Sequence, residues 1–248
     1  MKPSLKLCWM AVASFFLLAE VACPRNAPPK GKRLNASWSG SLPKTSKAQK
    51  GGKPGHRFPK VGKYQLIDDE TPGTGALHPE LVVVQFSDYE CPFCGLSHSR
   101  LDKAAKKYAH KMRVYHRHFP LDHHCNRILK KPYHKTACEA AKGAVCAERQ
   151  GKFWEMHDAL FRNPRSHGGK ALEALAQKAG LDLTKFQSCM NDPKTLARVK
   201  HDIELSLAVG VDGTPTYVFF GPKVEITKVG GLLPEDAFDQ IFEKLKKR

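Results

Sequence analysis

Cys91-Pro92-Phe93-Cys94 places two thiols two residues apart, a spacing that lets one sulfur attack and the other resolve. The pair follows the apolar run Leu81-Val82-Val83-Val84-Gln85-Phe86 and precedes a helical pattern. A strand that delivers Cys91 to the first turn of a helix aims its sulfur at unpaired backbone N–H groups and the positive end of the helix dipole. Both favour thiolate over thiol, so Cys91 becomes a nucleophile near neutral pH. Cys94, one turn inward, is the resolving thiol. Pro92 suits the first helical turn because its missing N–H would have no partner there, and its ring fixes the backbone that supports the sulfurs. Phe93 brings no charge, and the expected Cys91 pKa lies between about 3.5 and 7. The same spacing supplies half of many zinc sites. That use needs a second ligand pair, and the rest of the chain holds no further Cys-x-x-Cys and no His-x-x-x-His.

The elements around this motif follow from periodicity. Leu101, Ala104, Ala105 and Tyr108 share one face of the helix after the motif, and Val114 to Pro120 reads as a second strand. Roughly 85 residues of mostly helical pattern come next, estimated from the spacing of apolar faces. Leu172, Leu175, Ala176 and Ala179 form one such face, stopping at Gly180; Leu196, Val199, Ile203 and Leu207 form another. Phe153, Trp154, His157, Leu160 and Phe161 read as a core-packing aromatic helix. Gly213-Thr214-Pro215-Thr216 then precedes the strand-like Tyr217-Val218-Phe219-Phe220, and a Pro opening a strand loses no ladder bond. A last helix is expected from Pro234-Glu235-Asp236, packing Phe238, Ile241, Phe242 and Leu245.

The Cys-x-x-Cys after a strand and the Thr-Pro before another resemble the DsbA-like branch of the thioredoxin-fold thiol-disulfide oxidoreductases, over residues 61–248. The resemblance implies an α/β thioredoxin fold with a helical insertion at about 121–209. It implies catalysis by Cys91 and Cys94, supported by Pro92 and Phe93, and a cis Pro215 facing them. Thr214 and Pro215 would offer backbone to an extended, thiol-containing exported substrate. It implies no metal or organic cofactor and a membrane quinone-linked partner that restores the oxidised pair. Two positions depart from the family. Strong oxidants often carry His where Phe93 stands, and many members carry a buried carboxylate where Gln85 stands. Glu90 is adjacent to Cys91 and reads as a solvated loop acid.

Residues 1–22 have the layout of a secretory signal, with Lys2 and Lys6, the apolar stretch Cys8 to Ala19, then small residues. Val21-Ala22-Cys23 resembles a bacterial lipobox, whose Cys is lipidated, although Glu20 departs from it; a soluble periplasmic protein is the alternative. Residues 23–60 are rich in Pro, Gly, Ser and Lys, contain no acidic residue, and read as a disordered basic tether. Of the net charge of +17, residues 1–67 carry +12 and residues 68–248 only +5. A mildly basic domain lacks the footprint of a nucleic-acid enzyme, while a basic tether suits anionic lipid. Isomerases of the family usually dimerise through an added N-terminal domain, for which this short basic tether is a poor candidate, and that disfavours an isomerase; a monomer is expected.

Cys8 leaves with the signal and Cys23 is terminal, so six cysteines remain. Outside the active pair, the favoured bonds are Cys125 with Cys138 and Cys146 with Cys189, with buried free thiols as the alternative. His116, His118, His123, His124 and Cys125 raise a rival reading, a copper- or zinc-binding protein on the same scaffold. His116 and His118 share a strand face whereas His123 and His124 are expected to splay, so solvated, substrate-groove or partly buried histidines are preferred and no metal ligand is assigned. The function expected is a disulfide oxidase, with reductase or isomerase as the alternative on the same residues.

Overall fold

The computed structural model describes residues 59–131, 133–165 and 167–247. The signal, most of the tether and Cys23 lie outside the described residues. A short ribbon, β1 (Lys60–Val61) with β2 (Tyr64–Gln65), leads into β3 (Gly73–Gly75), β4 (Leu81–Ser87), α1 (Pro92–Lys107) and β5 (Met112–His118). Five helices follow, α2 (Ala137–Glu148), α3 (Phe153–Arg162), α4 (Gly169–Lys178), α5 (Leu183–Asn191) and α6 (Pro193–Val209). The chain closes with β6 (Thr216–Gly221), β7 (Val224–Gly230) and α7 (Ala237–Lys246). The sheet order is β3-β5-β4-β6-β7, with β4 parallel to β5 and antiparallel to β6. This is the α/β thioredoxin fold with its helical insertion between β5 and β6.

Every residue of β4 is buried, as a central strand covered on both faces requires. Leu81 and Val83 pack with Leu101, Phe238 and Phe242 beneath α1 and α7. Val82, Val84 and Phe86 point the other way, against Val199, Ile203 and Leu205 of α6. The two-residue alternation of a strand thus divides one apolar run between two cores. A third core, built on Met156, Leu160, Leu172 and Phe186 of the insertion, contains Tyr89, Cys91 and Cys94. The motif therefore sits where the insertion meets the sheet.

Several boundaries differ from the sequence reading. β5 begins at Met112 and ends at His118, because Phe119 and Pro120 turn into the following loop. α7 starts at Ala237, with Pro234 accepting the Ala237 N–H in a turn before it. The strand β7, partly exposed along its length, lies at the sheet edge beyond β6, where the sequence reading has no strand. Cys125 is bonded to Cys138, closing a loop of sequence separation 13, and Cys146 to Cys189, separation 43. By loop-closure entropy each stabilises by about 3 to 4 kcal/mol.

Arg117, flanked by histidines on β5, is fully buried. Its guanidinium donates to Asp202 at 2.8 Å, to Asp68 at 2.9 Å and to the Leu66 carbonyl at 3.2 Å. Arg198 reaches the same Asp202 oxygen, and the other oxygen accepts the His118 N–H at 3.1 Å. Burial alone would raise the Asp202 pKa, but the Arg198 and Arg117 charges hold it far below the usual carboxylate range. Asp202→Ala leaves two guanidiniums poorly compensated in the core and is expected to cost about 3 to 5 kcal/mol, measured by urea unfolding. A loss below about 1 kcal/mol would show that the network adds little.

Candidate active site

Cys91 is the N-cap of α1, in extended conformation (φ −72°, ψ 120°), and Pro92 occupies the first turn. Cys91's carbonyl accepts the N–H of Cys94 at 3.0 Å and of Gly95 at 3.1 Å, which closes the turn and brings both thiols to one helix end. Both cysteines are free and buried, Cys94 completely. Phe93 and Leu96 are exposed on the outer side of the same turns, an apolar surface beside the sulfur. Across from them the Thr214-Pro215 peptide is cis, and the Thr214 carbonyl lies 3.6 Å from Cys91 Sγ. The structure therefore brings Cys91, Cys94, Thr214 and Pro215 together from two chain regions.

The electrostatics separate the two thiols. Cys91 is lowered to about 6, chiefly by a hydrogen bond from the Cys94 thiol, against the cost of burial; Thr214 and the Cys94 amide add support. The Thr214 hydroxyl is buried with no other partner among the described residues, so it is available to the sulfur. Cys94 moves the opposite way, raised by burial and then by the neighbouring Cys91. One sulfur is a thiolate at neutral pH and the other stays protonated, which is the division of labour that thiol-disulfide exchange needs. Thr214→Val is expected to raise the Cys91 titration midpoint, followed by thiolate ultraviolet absorbance, but by less than removal of the Cys94 thiol. A midpoint unmoved by Thr214→Val would remove the hydroxyl from the site.

Beneath the dithiol, Gln85 is buried and donates to Ser97 Oγ at 2.6 Å, and Ser97 is hydrogen-bonded in turn to the Tyr217 hydroxyl. Burial holds Tyr217 well above its usual range, so the hydrogen-bonded chain next to the dithiol carries no charge.

Loop contacts not visible from sequence fix the approach to Cys91. Asp88, buried three residues before it, accepts from the Glu90 N–H at 2.7 Å, the Leu121 N–H at 2.5 Å and His134 Nδ1 at 2.9 Å. Burial works against the His134 imidazolium, yet Asp88 raises its pKa overall. Glu90 is not a solvated loop acid. Its carboxylate accepts from Thr136 N at 2.9 Å and Thr136 Oγ1 at 2.7 Å, satisfying the open end of α2. His134 and Thr136 each lie 46 positions from the carboxylate they meet, and no local pattern announces them.

The histidines also differ from expectation. His116 and His118 are fully buried, not partly solvated, and their rings lie 4.9 Å apart beside Tyr89, whose hydroxyl pairs with His157 Nδ1 at 2.9 Å. Burial lowers His116 and His157 well below their ordinary value and His118 to about 4. His123 and His124 do not splay; their ring centroids are 4.1 Å apart. Cys125 is consumed by its disulfide, so the four imidazoles and one thiol form no common metal cluster.

A family model, the DSBA-like thioredoxin domain, matches residues 82–243. Among curated proteins, Na(+)/H(+) antiporter NhaA 3 of Salinispora tropica is 32% identical over 148 residues, covering 59% of this chain and 21% of the antiporter. NhaA 1 of Mycolicibacterium vanbaalenii is 31% identical over 144 residues, covering 57% and 22%. The chain thus spans about a fifth of the curated relatives it matches. Among solved structures, a thioredoxin-like oxidoreductase from Silicibacter pomeroyi aligns with TM-score 0.58 at 22% identity, covering 74% of this chain and 96% of that one. The thiol-disulfide exchange protein alpha-DsbA2 of Wolbachia pipientis aligns at 0.59 and 18%, covering 72% and 88%. These two likenesses show the fold. A periplasmic thioredoxin-like protein from Salmonella enterica serovar Typhimurium aligns at 0.55 and 26%, covering 71% and 90%.

Proposed function

The chain belongs to the DSBA-like thioredoxin domain family, whose members are thiol-disulfide oxidoreductases, and from that premise we propose that it is an exported disulfide oxidase acting through Cys91 and Cys94. The observation that carries thiol-disulfide exchange is the placement of Cys91 at the helix end, facing the cis Thr214-Pro215 peptide, beside a fully buried Cys94; the signal-like start and the two further disulfides favour the oxidase among such enzymes. In the oxidised protein the two sulfurs share a bond. A substrate thiolate attacks Cys91 Sγ, the Cys91–Cys94 bond breaks, and Cys94 leaves with the electron pair and takes up a proton. A second substrate thiolate then attacks the substrate's own sulfur in the mixed disulfide, releasing Cys91 as a thiolate. The substrate gains one disulfide and the protein gains two electrons. A low Cys91 pKa makes that sulfur a good leaving group in the last step. Thr214 and Pro215 hold the substrate as an extended segment by backbone pairing, which suits unfolded thiol proteins rather than one fixed sequence.

The two further disulfides support maturation in an oxidising compartment. With the signal-like start, they favour the bacterial periplasm, either free or anchored through lipid on Cys23. No helix among the described residues is long and apolar enough to cross a membrane. Matches to membrane antiporters, with the basic tether, favour work beside anionic lipid, where a quinone-linked membrane partner would reoxidise the dithiol.

A Cys91 near 6 is closer to thioredoxin, at about 7, than to the strongest oxidants, at about 3.5, and this keeps a reductase reading in play. A glutathione redox titration of the full chain separates the two, with the Cys91–Cys94 peptide read by alkylation and mass spectrometry. A potential near about −120 mV is expected for the oxidase, and one near about −270 mV would make the protein a reductase.

A further inference from the structure

The loop between β5 and α2 carries side chains that the thiol chemistry leaves unused. Asp122, His123 and His124 are consecutive, and one ligand atom from each lies within 4.8 Å of the others. Asp122 is 1% exposed, and its carboxylate is fixed by backbone. Its Oδ1 accepts the His124 N–H at 3.1 Å, its Oδ2 accepts the Cys138 N–H at 3.3 Å, and the Cys125–Cys138 bond staples the same loop. The two imidazoles above it are not packing residues, since the His123 and His124 side chains are 37% and 65% exposed.

Adjacent residues in an extended chain point apart. Here the turn at Asp122 puts both rings over one oxygen, His124 Nδ1 at 2.6 Å and His123 Nδ1 at 3.6 Å from Oδ1. An ion bound at about 2.0 to 2.2 Å by nitrogen and oxygen holds its donors roughly 3 to 3.5 Å apart, so it would replace the hydrogen bond that joins His124 Nδ1 to Oδ1 at 2.6 Å, while His123 Nδ1 at 3.6 Å is already close to the required separation. Small rotations of exposed rings suffice, and the buried carboxylate need not move.

The donor set is two imidazoles and one carboxylate, because Cys125 is bonded to Cys138. That set suits zinc or copper rather than calcium or magnesium, which prefer all-oxygen shells. A crevice of about 200 Å³ beside it, bordered by His123, His124, Lys200 and Glu204, leaves room for water in the open positions. Arg127 also borders the crevice, but both its contacts with Glu204, at 2.6 and 2.9 Å, are paired. Lys200 works against a cation and keeps affinity below that of a closed structural zinc site.

We propose that Asp122, His123 and His124 form a three-ligand surface site for a borderline divalent transition ion of the zinc and copper class, with water completing the shell. The site is separate from the dithiol and does not depend on its redox direction. An ion there would clamp the loop whose Leu121 N–H is held by Asp88, three residues before Cys91.

The test is calorimetric titration of Zn(II) into the full chain, with Cys91–Cys94 oxidised and remaining thiols alkylated, so that no thiolate competes. Saturable binding is expected, with affinity falling at least tenfold in His123→Gln and in His124→Gln and unchanged in His110→Gln, an exposed histidine elsewhere. Far-UV circular dichroism and the thermal midpoint without metal confirm that the variants fold. Asp122 is left intact, because its backbone contacts would confound the result. Equal affinity in wild type and both variants, or no saturable binding of Zn(II), overturns the proposal.

Discussion

Cys91→Ser is expected to abolish thiol-disulfide exchange, while Cys94→Ala keeps a Cys91 thiolate that attacks a substrate disulfide once and stalls as the mixed disulfide. The asymmetry follows from position. Cys91 caps α1 and faces Thr214, whereas Cys94 is wholly buried and reachable only by its partner sulfur. Without Cys91 no sulfur is available for attack, and the rate of substrate oxidation is expected to fall by about three orders of magnitude or more, to the uncatalysed level. Cys94→Ala also removes the largest support of the Cys91 thiolate, the hydrogen bond from the Cys94 thiol. The Cys91 midpoint then moves from about 6 toward the ordinary thiol value of about 8.5, and the thiolate fraction at pH 7 falls by at most roughly thirtyfold, the limit reached if no other support remained. Thiolate absorbance against pH measures the midpoint, and incubation with a disulfide-bonded protein measures the stall, since the Cys91 thiolate attacks that disulfide, one substrate thiolate leaves, and the mixed disulfide remains. An unchanged midpoint in Cys94→Ala would show that the helix end alone sets the pKa. Exchange surviving in Cys91→Ser would move the reaction to another sulfur.

The second large effect is loss of stability in mild acid. His116, His118 and His157 are buried and held neutral in the folded chain, His118 down to about 4. An unfolded histidine takes its proton near 6.5, so from there down to the folded value the unfolded state binds more protons. The stability from keeping these rings neutral is therefore full above about 6.5 and is lost as pH falls through the folded pKa values. For His118 alone the window from about 6.5 to about 4 is worth about 3 kcal/mol. Glu148 acts in the opposite sense. Its pKa is raised to about 7, mainly by burial, so the folded state holds a proton that the unfolded carboxylate gives up. Below about pH 6.5 the three neutral rings outweigh the one protonated carboxyl, so unfolding takes up protons and stability falls with pH. His98 and His167, also lowered, steepen the fall, and His134, raised by Asp88, moderates it. Urea midpoints at pH 7 and pH 5 measure the effect. His118→Asn should make the dependence shallower by about one proton. Equal midpoints at the two pH values would contradict neutral burial of these rings.

These buried histidines also mark the limit of what a strand pattern conveys. On β5, alternation places His116 and His118 on one face and Arg117 on the other, but not what covers either face. Arg117 is buried because Asp202 and Asp68 neutralise it from 85 and 49 positions away. The histidines are buried because Phe153 and His157 of α3 close over them. Polar side chains read as solvated when their partners are invisible.

Local chemistry is where the sequence spoke by itself. An apolar run, two thiols at a fixed spacing, a proline in the first turn and helical faces three and four residues apart each act over a few residues, so type and order suffice. That determined β4, α1, three of the insertion helices (α3, α4 and α6) and the reactive pair of sulfurs, while the α/β thioredoxin class came through the family resemblance of the two motifs. Tertiary structure decided the contacts between distant segments. It put the Thr214 carbonyl against Cys91, turned Glu90 away to α2, tied His134 to Asp88, linked Ser97 to Tyr217 and drew His123 and His124 over one carboxylate. The physical reason is that burial and hydrogen-bond partnership depend on which surfaces meet, and these surfaces meet only after the insertion has packed against the sheet.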